Sequence, residues 1–582
     1  MTTTRSGFTK LAAVCIAILL GAVVWELGWP LTRAEHEWSR LIAAVATLGH
    51  LTGILGSYFR KEINRPSLRL LIFQIISCLM IFLLIAREQQ EAGYMRFTEL
   101  SRLVITAGLI AIPTLMSLTR IFEWLVGKQK KGRPLMAPAM QFVASLGVVI
   151  LAGTGLLLLP NSTYPGITLS FTDALFTSTS AVCVTGLNAV DFAHTFTPLG
   201  EMFTLALIQI GGFGIMTFAY FVAMVAGQGF SLRDRVLLTD LLDEDNLGAV
   251  VSFITTIVVS TLFIELCGAV LLYFSWEGKD INLMGEPLWW HSLFHSVSAF
   301  CNAGFSTFPM NLMEPGIRLC YSGQAVIMAL IVCGGLGFGI YKEINSRLAN
   351  RFFSKHRRLH MQWTPYFKLV MISTGILLAG GALAIFAVSS PHAAEPLGEH
   401  LWICLFDSVT ARTAGFNISH YVSYMPAASL IMCGLMMVGG SPGGTAGGMR
   451  TTTCAIAGAE ILRILRGRDH VEFFRRRIDQ RTVARCVITV VVSCAWIGCF
   501  TVLICALEPS MSSLDIFFEN CSAFATVGVS RGITPDLSGP SKYLLIVNML
   551  AGRVGLFAFL IALAGTPTPR HYRYPSVKIP LT

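Results

Sequence analysis

HSVSAFCNAGFSTF, residues 295–308, decides how this chain is read, because its plan returns three times. TSTSAVCVTGLNAVD (177–191), DSVTARTAGFNISHY (407–421) and ENCSAFATVGVSRG (519–532) share it: small and hydroxyl residues, then a turn about a glycine. The turn glycines are Gly186, Gly304, Gly415 and Gly528, at intervals of 118, 111 and 113 residues. So long a period, with a re-entrant centre, predicts one membrane unit repeated four times, each supplying a quarter of a central pathway.

Outside these segments the chain is apolar. Of 582 residues 54% are hydrophobic and 13% charged, with a mean hydropathy of +0.65, too much apolar surface for one soluble core. An integral, all-α membrane protein is expected. Fifteen cysteines include no C-x-x-C pair, and Cys78, Cys267, Cys333 and Cys494 sit in apolar runs, so they read as small buried residues rather than disulfides or metal ligands. Arg5 and Lys10 precede an apolar run, but Trp25, Glu26 and Trp29 follow it in place of a cleavage site, which predicts a retained first helix. Further runs near 41–58, 68–86 and 103–118 make four extra transmembrane helices before the repeats, ending at the charged, helix-breaking KQKKGRP of 128–134. The expected domains are 1–134, then repeats at 135–247, 248–364, 365–479 and 480–582, the last with a short cytoplasmic tail. Lys and Arg gather around 60–69, 128–133, 347–358 and 463–485, with acidic loops between, which places those clusters and the N-terminus in the cytoplasm of a multi-pass inner-membrane protein. The net charge of +10 is mostly this asymmetry facing anionic lipid, not a nucleic-acid surface.

Each repeat has the order apolar helix, short segment, apolar helix. The short segment cannot span ~30 Å of hydrocarbon and is expected to be a half-helix and loop that dips in and returns, lining protein or water. A dehydrated alkali cation needs oxygen ligands that hold it without trapping it, and stacked backbone carbonyls supply them. Turning successive carbonyls inward needs backbone angles that glycine tolerates. The expected filter residues are therefore Cys183, Val184, Thr185 and Gly186; Cys301, Asn302, Ala303 and Gly304; Thr413, Ala414, Gly415 and Phe416; and Thr526, Val527, Gly528 and Val529. Potassium is the expected ion, with no structural metal and no cofactor.

After each loop comes a second glycine motif: IQIGGFGIM at Gly211, IVCGGLGFGI at Gly334, MVGGSPGGTAGGMRTTT at Gly439 and LAGRVGLF at Gly552. The third, Gly439, Gly440, Ser441, Pro442, Gly443, Gly444, Thr445, Ala446, Gly447 and Gly448, cannot remain helical and is expected to be a gate loop. Met449 and Arg450 occupy the Lys-Ser/Thr positions a phosphate-binding loop would need. Arg553, inside an apolar helix, should face a cavity or a partner; as a fixed positive charge below the filter it would be a barrier to cations, and otherwise a structural residue held by loop carbonyls or a carboxylate. Glu265 and Glu519 are expected to hold half-helices in place. His291 and His295 lie a turn apart without a third ligand at metal spacing, and no catalytic constellation is visible, so an enzyme is not expected.

With TSTSAVCVTGL, SAFCNAGFS, SVTARTAGFN, SAFATVGVS, IQIGGFGIMTF, the GGSPGGTAGGMRTTT loop and GRVG in place, the chain resembles the Trk/Ktr/HKT superfamily of potassium transporters over about 138–564. The resemblance implies four helix, pore-helix, helix repeats around one pore per subunit, filters at the four glycines, a gate loop after Gly439 and a pore Arg at Arg553. It also implies a homodimer and a cytosolic ring of nucleotide-binding regulatory subunits meeting 233–245, 347–360 and the tail. Glycine in all four filters resembles potassium-selective members, whereas serine in the first resembles sodium-preferring ones. Sodium- or proton-coupled symport on the same fold remains an alternative, and an alternating-access carrier of another class is a further one.

Overall fold

The computed structural model describes residues 138–214, 250–353, 363–389 and 396–564, with scattered positions between 14 and 52. The helices expected near 68–86 and 103–118 and the inner segment 233–245 lie outside the described residues, as does most of the first two helices.

Three helix types recur in order. Long apolar helices come first: α1 (Pro138–Leu157), α4 (Val250–Trp276), α8 (Pro365–Val388) and α12 (Gln480–Leu507). Stretches of the last three, Ile254–Trp276, Pro365–Val388 and Gln480–Leu507, are long and apolar enough to cross a membrane, at mean hydropathy 2.2, 2.2 and 2.5. Only 39, 28 and 22% of their most apolar windows are buried, so Phe263, Leu266, Phe274, Ile376 and Val502 point outward, which hydrocarbon tolerates and water would not. Cys267 and Cys494 are exposed there too; the expectation that they are buried is corrected, because they sit on the outward faces of α4 and α12.

Short helices follow: α2 (Phe171–Cys183), α5 (Leu288–Cys301), α9 (Leu397–Thr410) and α13 (Ser513–Ala525). At 13 or 14 residues each is about 20 Å long, too short to cross ~30 Å of hydrocarbon. Then come returning helices, α3 (Pro198–Phe213), α6 (Tyr321–Gly335), α10 (Pro426–Met437) and α14 (Gly539–Val554). Three of these four carry proline in the first turn, where its missing N–H has no helical partner to lose.

All four returning helices stop at a break: Gly214 at φ 76°, Gly337 at φ 89°, Val438, and Gly555 at φ 91°. Past the breaks run α7 (Phe338–Phe353), α11 (Thr451–Leu465) and α15 (Leu556–Ala564), with α7 bent 94° from α6. The first returning helix ends at Phe213, because Gly214 leaves the helical region.

Packing closes the sets into a ring. Each returning helix lies on the short helix of the next set: α3 on α5, α6 on α9, α10 on α13, and α14 back on α2. At that last seam Lys542 Nζ reaches Asp173 Oδ1 at 2.9 Å and the hydroxyls of Thr172 and Tyr543 meet at 3.2 Å.

Candidate functional site

The four short helices end at the four turns, and the turns meet. Two residues before each glycine the chain enters the left-handed region, at Val184 (φ 57°), Asn302 (61°), Thr413 (69°) and Thr526 (52°); the glycines follow at φ 91, 70, 82 and 92°. The intervening residue is held by a backbone bond to the helix end, as in Thr185 N to Ser180 O at 2.7 Å and Ala303 N to Ser298 O at 2.7 Å. There is no room for a side chain at the glycines. A Cβ on Gly186 would strike the Ala303 carbonyl; on Gly304, that of Ala414; on Gly415, that of Val527; and on Gly528, that of Thr185. The contacts run first to second to third to fourth to first, so the carbonyls preceding the glycines form a closed circuit. Each short helix also brings the partial negative charge of its C-terminal end to it.

Behind the circuit one helix position per set does the same job with different chemistry. Ser180 Oγ accepts from Gly186 N at 3.0 Å and Ser522 Oγ from Gly528 N at 3.1 Å, whereas Ser298 and Thr410 donate to the carbonyls of Phe305 and Phe416 at 2.8 and 2.6 Å. Three residues before these hydroxyls stand Thr177, His295, Asp407 and Glu519, all buried. His295 Nε2 meets Ser306 Oγ at 2.9 Å; Asp407 accepts from the hydroxyls of Tyr421, at 2.9 Å, and Tyr424; Glu519 accepts from Ser530 and Thr534. Thr177 Oγ1 has no partner among the described residues. Glu519 thus ties its half-helix to the outgoing loop. Asp407 was not singled out in the sequence, and its signal was the fixed offset from the Ser/Thr position. His291 engages Thr307, and no group of residues able to hold a metal occurs among the described residues.

The residues after the glycines open onto a cavity of about 330 Å³, lined among others by Asn188, Asp191, Ser306, Asn417 and Ser530. Its rim is clamped by Arg531, which reaches Asp515 Oδ1 at 2.6 Å, Tyr421 O at 2.7 Å and Ser429 Oγ at 2.7 Å. Nearby, Trp290 Nε1 donates to Glu201 Oε2 at 2.7 Å. Burial pushes the carboxyl of Glu286, in the loop before α5, up to about 7, with a hydrogen bond to Glu201 opposing part of the rise.

Residues 438–450 lie against the parts of the loops that precede the glycines. Thr445 Oγ1 donates to Phe300 O at 3.2 Å, Gly447 abuts Thr526 and Gly448 abuts Ala525. The segment is stitched into the break between α6 and α7: Ser441 N to Gly335 O at 2.9 Å, Thr445 N to Gly334 O at 3.3 Å, and Phe338 N to Gly443 O at 3.0 Å. Three guanidinium groups hold its carbonyls. Arg412 Nη2 donates to Gly439 O at 3.2 Å, Arg450 to Ala446 O, and Arg553 to Thr445 O with one arm and Gly211 O with the other. Tyr366 adds a bond to Pro442 O at 2.9 Å. Arg553 is therefore partnered by two carbonyls contributed by the first and third sets, in a site where an unpartnered charge would be costly.

A helical chain with outward apolar faces and polar loops converging at its centre is a multi-pass membrane protein. The chain belongs to the TrkH family, whose model, described as a cation transport protein, matches residues 105–574. The Ktr system potassium uptake protein B of Bacillus subtilis is 34% identical over 446 residues, 74% of this chain and 94% of that protein. The potassium/sodium uptake protein NtpJ of Enterococcus hirae is 32% identical over 466 residues, 78% of this chain and 99% of that one. The crystal structure of the potassium transporter TrkH from Vibrio parahaemolyticus superposes with a TM-score of 0.59 at 18% identity, covering 85% of this chain and 97% of that one, a likeness of fold.

Proposed function

We propose that the chain takes up potassium ions across the cytoplasmic membrane, through a filter made by the four glycine loops, and that it is not an enzyme. The observation that carries this is the closed carbonyl circuit, in which each glycine stands against the carbonyl of the next loop. Four loops at one level can replace the water of an alkali cation with backbone oxygens, and the C-terminal ends of four half-helices favour its charge. The names of the Ktr relatives support potassium as the cargo. The cavity would then receive the hydrated ion on the outer side, and 438–450 would be the gate on the inner side, pinned shut by Arg553. In that place the guanidinium both blocks the path and latches the loop.

The repeats would run 135–247, 248–364, 365–479 and 480–582, with the N-terminus in the cytoplasm and basic loops against anionic lipid. Assembly as a homodimer on a cytosolic nucleotide-binding ring belongs to the same reading, since the Ktr relatives are named as parts of a system. The name of NtpJ favours a second reading, sodium passing with or in place of potassium.

The test is rubidium uptake into liposomes holding the purified chain, with potassium and sodium in competition, against Gly415→Ser. Potassium-selective flux that loses discrimination in the variant supports the filter. Equal competition by sodium in the native chain favours the second reading, and no cation flux with regulatory subunits and nucleotide supplied sinks both.

A further inference from the structure

One buried acid at the circuit has no part in the scheme above. Glu265 lies midway along the membrane-spanning α4, with 3% of its surface exposed, and the filter reading requires no carboxylate there. It is held from two other elements. Gln209 Nε2, on α3 of the preceding set, donates to both its oxygens at 3.2 and 3.1 Å; Cys301 Sγ, at the end of α5, donates to Oε1 at 3.6 Å and lies 3.8 Å from Gln209 Oε1. Ser296 Oγ, one turn and a half before Cys301, fixes the Glu265 backbone carbonyl at 2.6 Å. No Lys or Arg forms an ion pair with it among the described residues. An intramembrane carboxyl held by neutral donors is an expensive way to pack two helices, which an apolar side chain would do without the cost.

Its placement explains the expense. Cys301 opens the second loop, three residues before Gly304. On its other side the thiol is enclosed by the backbone of Gly212, where a Cβ would strike Sγ. Asn302, next in the chain, touches Thr413 Oγ1 of the third loop at 3.3 Å. The line Gln209, Glu265, Cys301, Asn302, Thr413 therefore runs from the first set through the second to the third, and the carboxyl is the one member that receives hydrogen bonds from two elements at once.

We propose that Glu265 is a positioning residue for cation selection, fixing the second loop through the Cys301 thiol with Gln209 as its clamp. This rests on the filter reading, and the experiment separates the two. Rubidium uptake by the full chain in liposomes is measured with potassium or sodium as competitor, and the preference is the ratio of the two inhibitory concentrations. In Glu265→Gln two amides face each other and one hydrogen bond is lost, so the preference falls about fivefold. Adding Gln209→Glu recreates the pair with its ends exchanged and restores the preference, which repair of general packing would not do. Glu265→Ala falls at least as far, and the swap keeps the test decisive if the alanine variant does not fold. Gly304→Ser serves as the reference. An unchanged preference in Glu265→Gln while Gly304→Ser loses it overturns the inference and leaves the filter standing; an unchanged preference in Gly304→Ser overturns both.

Discussion

Around the four glycines every set makes the same contact with the next, carbonyl to glycine, whereas 438–450 occurs in one set and is held by Arg412 of that set and Arg553 of the fourth. The two regions touch, at Thr526 with Gly447 and at Phe300 with Thr445, yet one is fourfold and the other singular. If the circuit coordinates an ion as proposed, oxygens are needed from all sides and each quarter must conform. On the reading proposed above, obstruction demands only that one object stand in the way, so a single segment suffices, and among the described residues α6 and α14 break without growing a loop of this kind.

The sharpest way to break the comparison is at the fourfold level. Gly528→Ala adds a methyl where the Thr185 carbonyl and Gly186 already stand, at a φ of 92°. Strain of about 1–3 kcal/mol at one quarter should reach all four, and uptake of rubidium by cells should fall on the order of 10-fold to 100-fold. Wild-type uptake in this variant would mean that the quarters are independent. Arg553→Ala, at the singular level, should act in the opposite direction, raising uptake several-fold as two charge-assisted hydrogen bonds of about 1.5–3 kcal/mol each are lost. Arg553→Lys should fall between, because an ammonium cannot fork to two carbonyls. Unchanged or lower flux from folded Arg553→Ala would contradict the latch.

The helix position behind the circuit sharpens the comparison further, since geometry is shared and chemistry is not. Asp407→Asn, which weakens bonds from two tyrosines, should destabilise the protein by about 1–3 kcal/mol in detergent melts. Thr177→Val, where the hydroxyl has no partner, should cost nothing measurable; a large loss there would show that the first set has an anchor of its own. A small effect, read in pH dependence, is expected at Glu286. Its carboxyl, ordinarily near 4.5, is raised to about 7 by burial, so the folded state disfavours the charged form and stability declines as pH rises from about 4.5 to about 7. Glu286→Gln should flatten that slope, seen as melting temperatures that no longer drop between pH 5 and pH 7.5. A slope that persists would assign the titration to another group.

Much of this was legible in the chain. The glycine periods marked the four turns, and Pro442 among three glycine pairs marked where a helix could not continue. The left-handed residue ahead of each glycine was not legible, because Val184, Asn302, Thr413 and Thr526 share no property that demands such a backbone; the helix end and the adjoining loop impose it. Arg553 was visible as an anomaly, but its two carbonyl partners lie 108 and 342 residues away and only the closed ring joins them. Arg412 and Arg531 gave no signal of their own in the sequence for the same reason. The third turn misleads by one residue: TARTAG is shorter than SAFCNAG, which moves Asp407 out of alignment with Glu519 when counted from the glycine and back into it when counted from the hydroxyl.

The seam between α14 and α2 has a consequence for how such a protein is made. Gly528 completes the circuit against Thr185, and the ion pair that closes the wall joins residues 369 positions apart. A ribosome adding roughly 5–20 residues per second needs about 20–70 s to travel from the first turn to the last. During that interval the ring grows from one quarter to three with an open flank, and the carbonyl circuit is incomplete. If the circuit is the filter proposed above, the nascent chain could conduct only once nearly all of it has been translated, which would protect the cell's ion gradients from its own unfinished product.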